Sequence, residues 1–570
     1  MFTKKSILFA ALWFAACSSD PLSEMPGTSE GGTADGREQK IVNTASHAVA
    51  GSLLVYFDDR AVEQLESATA AAAVTRSAAT RSGIDSVDEI FDGLQVRSLR
   101  RVFPCNPKSE ERTRAAGLHK WYLVEFDETA DLDAAARRIA SVAEVQHVQF
   151  NSAMKRADDF RAQPLRSTAP TAAAQGTFND PQLGRQWHYN NTGNKSIAQT
   201  ARAGADINVV DAWRLTAGDP RIIVAVVDEG VKYNHPDLAD NMWINPDPDP
   251  EMQDIHGYNF VTRGPVTWDK HHPTDSKKDD TGHGTHVAGT VAAVNNNSTG
   301  VCGVAGGTGS GDGVRIMSCQ IFSGDSNSSG STAATAEAIK YAADHGAAIL
   351  QCSFGYEAGL ITSDSQYARS QAVEKQAIDY FIATRNCEAV DGGIVIFAAG
   401  NDAKNMAAYP GAYRDYISVT AFSPDFLPAY YTNYGPGCNV AAPGGDYKIA
   451  ADQESSEVLS TLPSELYGGS DYGFMQGTSM ACPHASGVAA LGLAYALQLG
   501  KSFTREEFNT MLLTSVNDID NYLEGTKNSI NLEQYYKKMG TCAIEAYQLL
   551  MQVEGTPCLR AKVGSRQLLA

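Results

Sequence analysis

Basic residues are in short supply: 46 Lys and Arg stand against 66 Asp and Glu, a formal charge of -20. A surface of that sign repels a polyphosphate, which excludes nucleic acid as a partner. Beyond the N-terminal leader the chain also lacks any uncharged apolar run of the roughly 18 residues that a membrane helix needs. The longest run, residues 488–499, falls short of that length and ends a predicted helix. No internal repeat or long low-complexity tract occurs, which excludes a repeat array. At 570 residues the chain exceeds one average core, so at least two folded units are expected.

What is present begins with a targeting segment. "MFTKKSILFAALWFAACSSD" starts basic at Lys4 and Lys5, runs apolar over residues 7–16 and reaches Cys17. Its small residues before a cysteine, "FAAC", resemble the lipobox of a bacterial lipoprotein signal. That resemblance makes residues 1–17 the signal, with a lipid on Cys17 anchoring the chain to a membrane. The expected place is that of an exported protein at the outer membrane or cell surface, and Ser18 after the cysteine favours the outer membrane. With Cys17 used, an odd number of the 10 cysteines remains, so at least one thiol is free; Cys542 with Cys558 is the one pairing suggested.

Residues 18–45 are rich in Ser, Gly, Glu and Asp and read as a tether. Residues 46–154 then carry an alternating strand "AGSLLVYFDD" (50–59), and later "HKWYLVEFDE", "DLDAAARRIASV" and "EVQHVQFN", which read as strand, helix, strand. A small α+β domain is expected there. Residues 155–177 hold Pro, Ala, Thr and Arg without periodicity and read as an exposed linker, open to a protease. Over residues 178–540 strands such as "RIIVAVVD", "VRIMSCQIF", "AILQCSF" and "GIVIFAAG" alternate with helical segments. Continuous apolar strands between helices predict an α/β domain with a doubly wound, mostly parallel sheet buried on both faces. Residues 541–570, partly helical, form a C-terminal extension without an assigned role.

In such a sheet, ligand sites lie beyond the carboxyl ends of the strands. Asp228 ends "IIVAVV", Asn401 ends "GIVIFAAG", and His283 in "DTGHGTHVAGT" precedes a helix. Ser479 in "GTSMACPHASG" opens a helix, where unpaired backbone N–H groups favour a developing negative charge. A serine hydroxyl is a poor nucleophile alone. It needs an imidazole to take its proton and a carboxylate to hold that imidazole in the right tautomer. Asp228, His283 and Ser479 supply this set in that chain order, and the motifs "VVDEG", "GHGTHVAGT", "AAGN" and "GTSMACPHASG" resemble the subtilisin-like serine protease family over residues 178–531. The resemblance implies a secreted serine endopeptidase acting on protein or peptide substrates through an acyl-enzyme, and a monomer. Asp228 would orient, His283 act as base and acid, Ser479 attack, and Asn401 donate to the oxyanion. His286, His484 and Cys482 beside these motifs read as packing residues. The rival is a catalytically inactive peptide-binding surface protein on the same scaffold, against which the intact set argues.

Glu229 resembles the kexin branch of this family, where a carboxylate after the catalytic Asp faces the second substrate subsite; that implies Lys or Arg at P2. "SFG" (Ser353, Phe354, Gly355) and "SSG" (ending in Ser329 and Gly330) resemble the edge strands that pair with extended substrate. Asp402 reads either as a contact for Lys at P1 or as a solvated loop charge. "NDP", "NHPDL" and "VNNNSTGV" resemble the family's calcium site. Carried over, the ligands of a structural Ca2+ are Asp180, Asp237, Asn297 and carbonyls near Val294 and Val301, with Asn296 the alternative to Asn297. The cluster Asp269, His271, His272, Asp275, Asp279 and Asp280 has no zinc-type spacing and reads as a solvated loop. By position, the 46–154 domain resembles the family's inhibitory propeptide, which implies a zymogen that cuts itself between residues 149 and 178.

Overall fold

The computed structural model describes residues 38–74, 78–156, 160–167, 178–324, 330–452, 454–556, 560–563 and 566–569. The leader with Cys17, most of the tether, Ser329 and Cys558 lie outside the described residues.

The chain first folds into a four-stranded antiparallel sheet of β1 (Ala48–Phe57), β2 (Ser98–Arg101), β3 (Trp121–Glu125) and β4 (Val145–Ser152), in the order β2-β3-β1-β4. Alternation along β1 sends Leu53, Val55 and Phe57 to one face, against α1 (Asp59–Val74) and α2 (Leu132–Ala140). Leu54 and Tyr56 point to the other face. Two short strands follow, β5 (Lys155–Arg156) and β6 (Gln163–Pro164).

The principal sheet takes β7 (Ile223–Glu229), β8 (Gly257–Asn259), β9 (Arg315–Phe322) and β10 (Ile349–Cys352), and, after the short edge strand β11 (Phe354–Gly355), β12 (Ile394–Ala398), β13 (Ile417–Phe422) and β14 (Val440–Pro443). A hairpin of β15 (Val458–Thr461) and β16 (Tyr472–Met475) stands apart; β17 (Val516–Asn517) and β18 (Ala543–Ile544) complete the main sheet. Its order is β17-β18-β14-β13-β12-β10-β7-β9-β8, parallel except where β17 meets β18. Val224 and Val226 face α3 (His283–Ala292) and α6 (Thr478–Gln498), whereas Ala225 and Val227 face α4 (Thr332–Asp344) and α5 (Ala372–Ala383). This is the doubly wound α/β sheet that the apolar strands predict. α6 is long and apolar enough to cross a bilayer, but 94% of its apolar window is buried, so it is the core helix of the sheet.

Leu54, Tyr56, Trp121 and Leu123 of the first sheet pack into the same cluster as α4 and α5. Trp121 Nε1 donates to Gln376 Oε1 at 2.9 Å, and Glu337 on α4 accepts from both Arg100 and Arg263.

Three sequence boundaries need correction. The tether ends before residue 45: Val42 N–H donates to Val148 O at 3.0 Å, which ties residues 41–45 to β4. Residues 155–177 are not an exposed linker throughout, because Ala162 and Leu165 are buried and β5 and β6 pair with the principal domain; residues 157–159 and 168–177 lie outside the described ones. The 541–570 extension begins inside the fold, for β18 joins the main sheet and Leu549 and Leu550 enter its core. Among the described residues the cysteines are free thiols, Cys542 included.

Candidate active site

β7 and β10 are adjacent and in register, with Val227 opposite Cys352, so their carboxyl ends bring Asp228 and Ser353 to one edge of the sheet. α3 starts there after Gly282, whose φ is 72 and where a Cβ would stand 2.5 Å from Pro463 Cδ. His283 is its first residue. Nδ1 lies 2.7 Å from Asp228 Oδ1, both side chains are 1% exposed, and the His283 N–H donates to Glu229 Oε2 at 2.9 Å. A buried carboxylate at Nδ1 fixes the tautomer that presents Nε2 as a base.

Gly477 (φ 146) caps α6 and donates its N–H to Tyr431 Oη at 2.9 Å, setting Ser479 in the first turn. Ser353 Oγ donates to Ser479 O at 2.8 Å, and Ser479 Oγ lies 3.4 Å from Ser353 O. Asn401 accepts the Thr478 N–H and Oγ–H at Oδ1, at 2.9 and 2.8 Å, so Oδ1 is the anchored end of its amide and Nδ2 the donating end.

The chain's own β5 crosses this site. It pairs antiparallel with β11, Arg156 opposite Phe354 and Lys155 opposite Gly355. The Arg156 guanidinium is ion-paired to Glu229, which is 1% exposed and also accepts from the Thr281 N–H and hydroxyl. One strand thus touches the residue after Asp228 on one side and the residue after Ser353 on the other. Upstream, Met154 N–H donates to Gly330 O at 3.1 Å, with its side chain buried beside Phe322 and Phe354. A pocket of about 200 Å3 opens below, lined by Arg156, Gly355, Tyr356, Glu357, Gly400 and Asp402. Asp402 is exposed, its Oδ2 accepting from Asn433 Nδ2 at 3.2 Å.

His286 and His484 are fully buried, and burial pushes them down to about 3 and about 4. His484 Nδ1 donates to Met480 O at 2.7 Å and its Nε2 accepts from His188 Nδ1 at 2.8 Å, a neutral pair in which His188 has no sequence signal. These are packing groups. The 269–280 cluster is spent on its own loop: Asp280 accepts from Lys270 and Gly324 N–H, and Asp279 from His272 N–H.

The predicted calcium ligands meet on one side of α3. Asp237 accepts from Asn297 Nδ2 at 2.8 Å and Val301 N–H at 2.9 Å, and Val294 N–H donates to Asp237 O. Asp180 Oδ2 accepts from Asn296 N–H and the Cys302 thiol, while its buried Oδ1 has no hydrogen-bond partner. Every hydrogen bond to these two carboxylates among the described residues comes from a neutral group. Burial raises both, Asp237 to about 8. Two buried acids with oxygen-rich surroundings and an orphaned oxygen fit a hard divalent cation. Asn297 rather than Asn296 has its side chain at Asp237. Tyr472, which sequence reasoning missed, also belongs here: the negative charge of Asp237 helps burial to raise its phenol.

The Subtilase family profile matches residues 219–534, a span that holds Asp228, His283, Asn401 and Ser479. The chain belongs to the subtilase family. As a subtilase it is a serine-type endopeptidase, a hydrolase of peptide bonds. It is 30% identical over 444 residues to halolysin of Haloferax mediterranei, covering 77% of this chain and 69% of that protein. It is also 30% identical over 473 residues to the extracellular basic protease of Dichelobacter nodosus, covering 76% and 65%. Fervidolysin from Fervidobacterium pennivorans, a keratinolytic enzyme related to subtilisin, shares the fold with a TM-score of 0.53 at 20% identity, over 88% of this subtilase and 61% of that chain.

Proposed function

We propose that this subtilase is an exported zymogen whose N-terminal unit lies in the cleft as its first substrate. Ser479 Oγ attacks the scissile carbonyl carbon while His283 Nε2 takes the hydroxyl proton and Asp228 holds the resulting imidazolium. The oxyanion is met by Asn401 Nδ2 and the Ser479 backbone N–H at the start of α6. His283 returns the proton to the departing amine, and water then releases the acyl group by the same steps in reverse. What supports this reading is the path of β5, an extended strand that pairs with β11 just after Ser353 and is locked by Arg156 to Glu229, as a P2 side chain would be.

Counting on from Arg156, the attacked carbonyl belongs to Ala157, so the cut falls between Ala157 and Asp158. Intact-mass and N-terminal sequencing of the first maturation product should give Asp158; a first cut upstream of Arg156 or beyond Phe178 would remove this register. A lipid on Cys17 stays with the N-terminal unit, and the proteolytic half is then either released or held to it only noncovalently. The name of the extracellular Dichelobacter protease is in keeping with export.

Calcium would be held by Asp180, Asp237, Asn297 and the carbonyls of Val294 and Val301, where it would offset the two buried carboxylates. At a calcium concentration of 1,000 times Kd such a site stabilises by about 4 kcal/mol. Chelation is therefore expected to lower the Tm of the uncut Ser479→Ala chain by several degrees, restored by added calcium. An unchanged Tm would count against the site.

A further inference from the structure

Beyond the proposed cut, the chain is built into the other side of the cleft. The Phe160 ring lies 5.6 Å from that of Tyr431, whose hydroxyl holds the Gly477 N–H just ahead of Ser479. Ala162 is 5% exposed within the main core. β6 pairs antiparallel with β16, Gln163 opposite Phe474 and Pro164 opposite Gly473, and Leu165 N–H donates to Tyr472 O at 2.9 Å. Leu165 is buried among Ala293, Val301, Leu459 and Phe474, and Arg166 ion-pairs with Glu454. Gly473 is shaped for this contact, since a Cβ there would come 2.6 Å from Gln163 O.

β16 is the strand that leads into Gly477 and Ser479, whereas β11 pairs with β5, which the proposed cut makes the acyl side. β5 and β6 therefore occupy the two halves of one cleft. The anchors of β6 do not depend on β5, because Phe160, Ala162 and Leu165 are each seated in the principal domain.

The geometry points to residues 160–165 as a strap that stays on the leaving-group side of the mature enzyme, with Phe160 setting specificity: the enzyme favours bonds close to the C-terminal end of its substrates. This rests on the reading above that the chain is cut between β5 and β6. Phe160 is the third residue past the proposed cut, so a substrate with two residues beyond its scissile bond stops short of the Tyr431 seat. A longer tail must compete with Phe160 for it.

The test compares two peptides identical up to the cut, with Arg at P2, one carrying two residues beyond the bond and the other eight. Mature wild type should hydrolyse the short one with a kcat/KM higher by about tenfold or more, the scale of one occupied apolar subsite. Phe160→Ala with Leu165→Ala should bring the ratio towards unity. A ratio of two rates on one preparation does not depend on how much of it is folded. A cut enzyme with no preference for the short peptide, or one whose N-terminus is trimmed past Leu165, overturns the strap alone. A chain that is never cut between β5 and β6 overturns the maturation reading, and the strap with it.

Discussion

A chain carrying Ser479→Ala is expected to lose hydrolysis by about 10^6-fold, the loss known for removal of the serine or histidine of subtilisin, a member of the same family. It should also stay at full length and fail to label with a fluorophosphonate probe that labels the wild type. The size of the effect follows from division of labour. His283, held at 2.7 Å by Asp228, has nothing to activate once the hydroxyl is gone, and the donors at Asn401 and the start of α6 retain only their binding contribution. Detergent-phase partition of the same uncut chain checks the lipid anchor, because wild-type maturation should move the proteolytic half to the aqueous phase while Ser479→Ala keeps both halves with the lipid. Retained hydrolysis by the purified variant would remove Ser479 as nucleophile, and normal maturation of it would assign the cut to another protease.

Glu229→Gln is expected to lower kcat/KM by about 100-fold for peptides with Arg at P2 and to leave those with Ala at P2 nearly unchanged. An exposed ion pair contributes at most about 1 kcal/mol. Glu229 is 1% exposed, which puts its pair with Arg156 in the other class, where losing one partner costs roughly 2–5 kcal/mol, or about 30-fold to 5,000-fold. Gln keeps the shape and an oxygen for the Thr281 and His283 N–H groups, so the start of α3 keeps its support. Equal losses on both peptides would show that Glu229 works by positioning His283 and not by reading P2.

The elements that sequence resolves best are those with the strongest local signal. The runs "IIVAVVD" and "GIVIFAAG" become β7 and β12 because a strand buried on both faces needs an unbroken apolar run; Asp228 is the next-to-last residue of β7, and Asn401 follows three residues after the end of β12. β5 and β6 are invisible for the opposite reason. Two residues have no periodicity, and they are strands only because β11 and β16 offer edges to pair with. His188 and Tyr472 carry no motif; each matters through a partner far along the chain, His484 in one case and Asp237 in the other. The apolar Phe160, Ala162 and Leu165, spaced through a Pro- and Arg-bearing stretch, were the one available hint that it was not all exposed linker.

Sequence by itself determined the chemistry: which side chains are present, their chain order, and the turn and helix starts that present Asp228, His283, Asn401 and Ser479. Those are local properties, fixed by strand ends, by glycines at positive φ and by the first turns of helices. Only the tertiary structure decided what lies against that chemistry. It put Arg156 on Glu229, seated Leu165 beneath β16, and buried Asp180 and Asp237 with no basic side chain bonded to either among the described residues. Such contacts join residues tens to hundreds of positions apart, and their energy comes from burial, which no local stretch of chain contains.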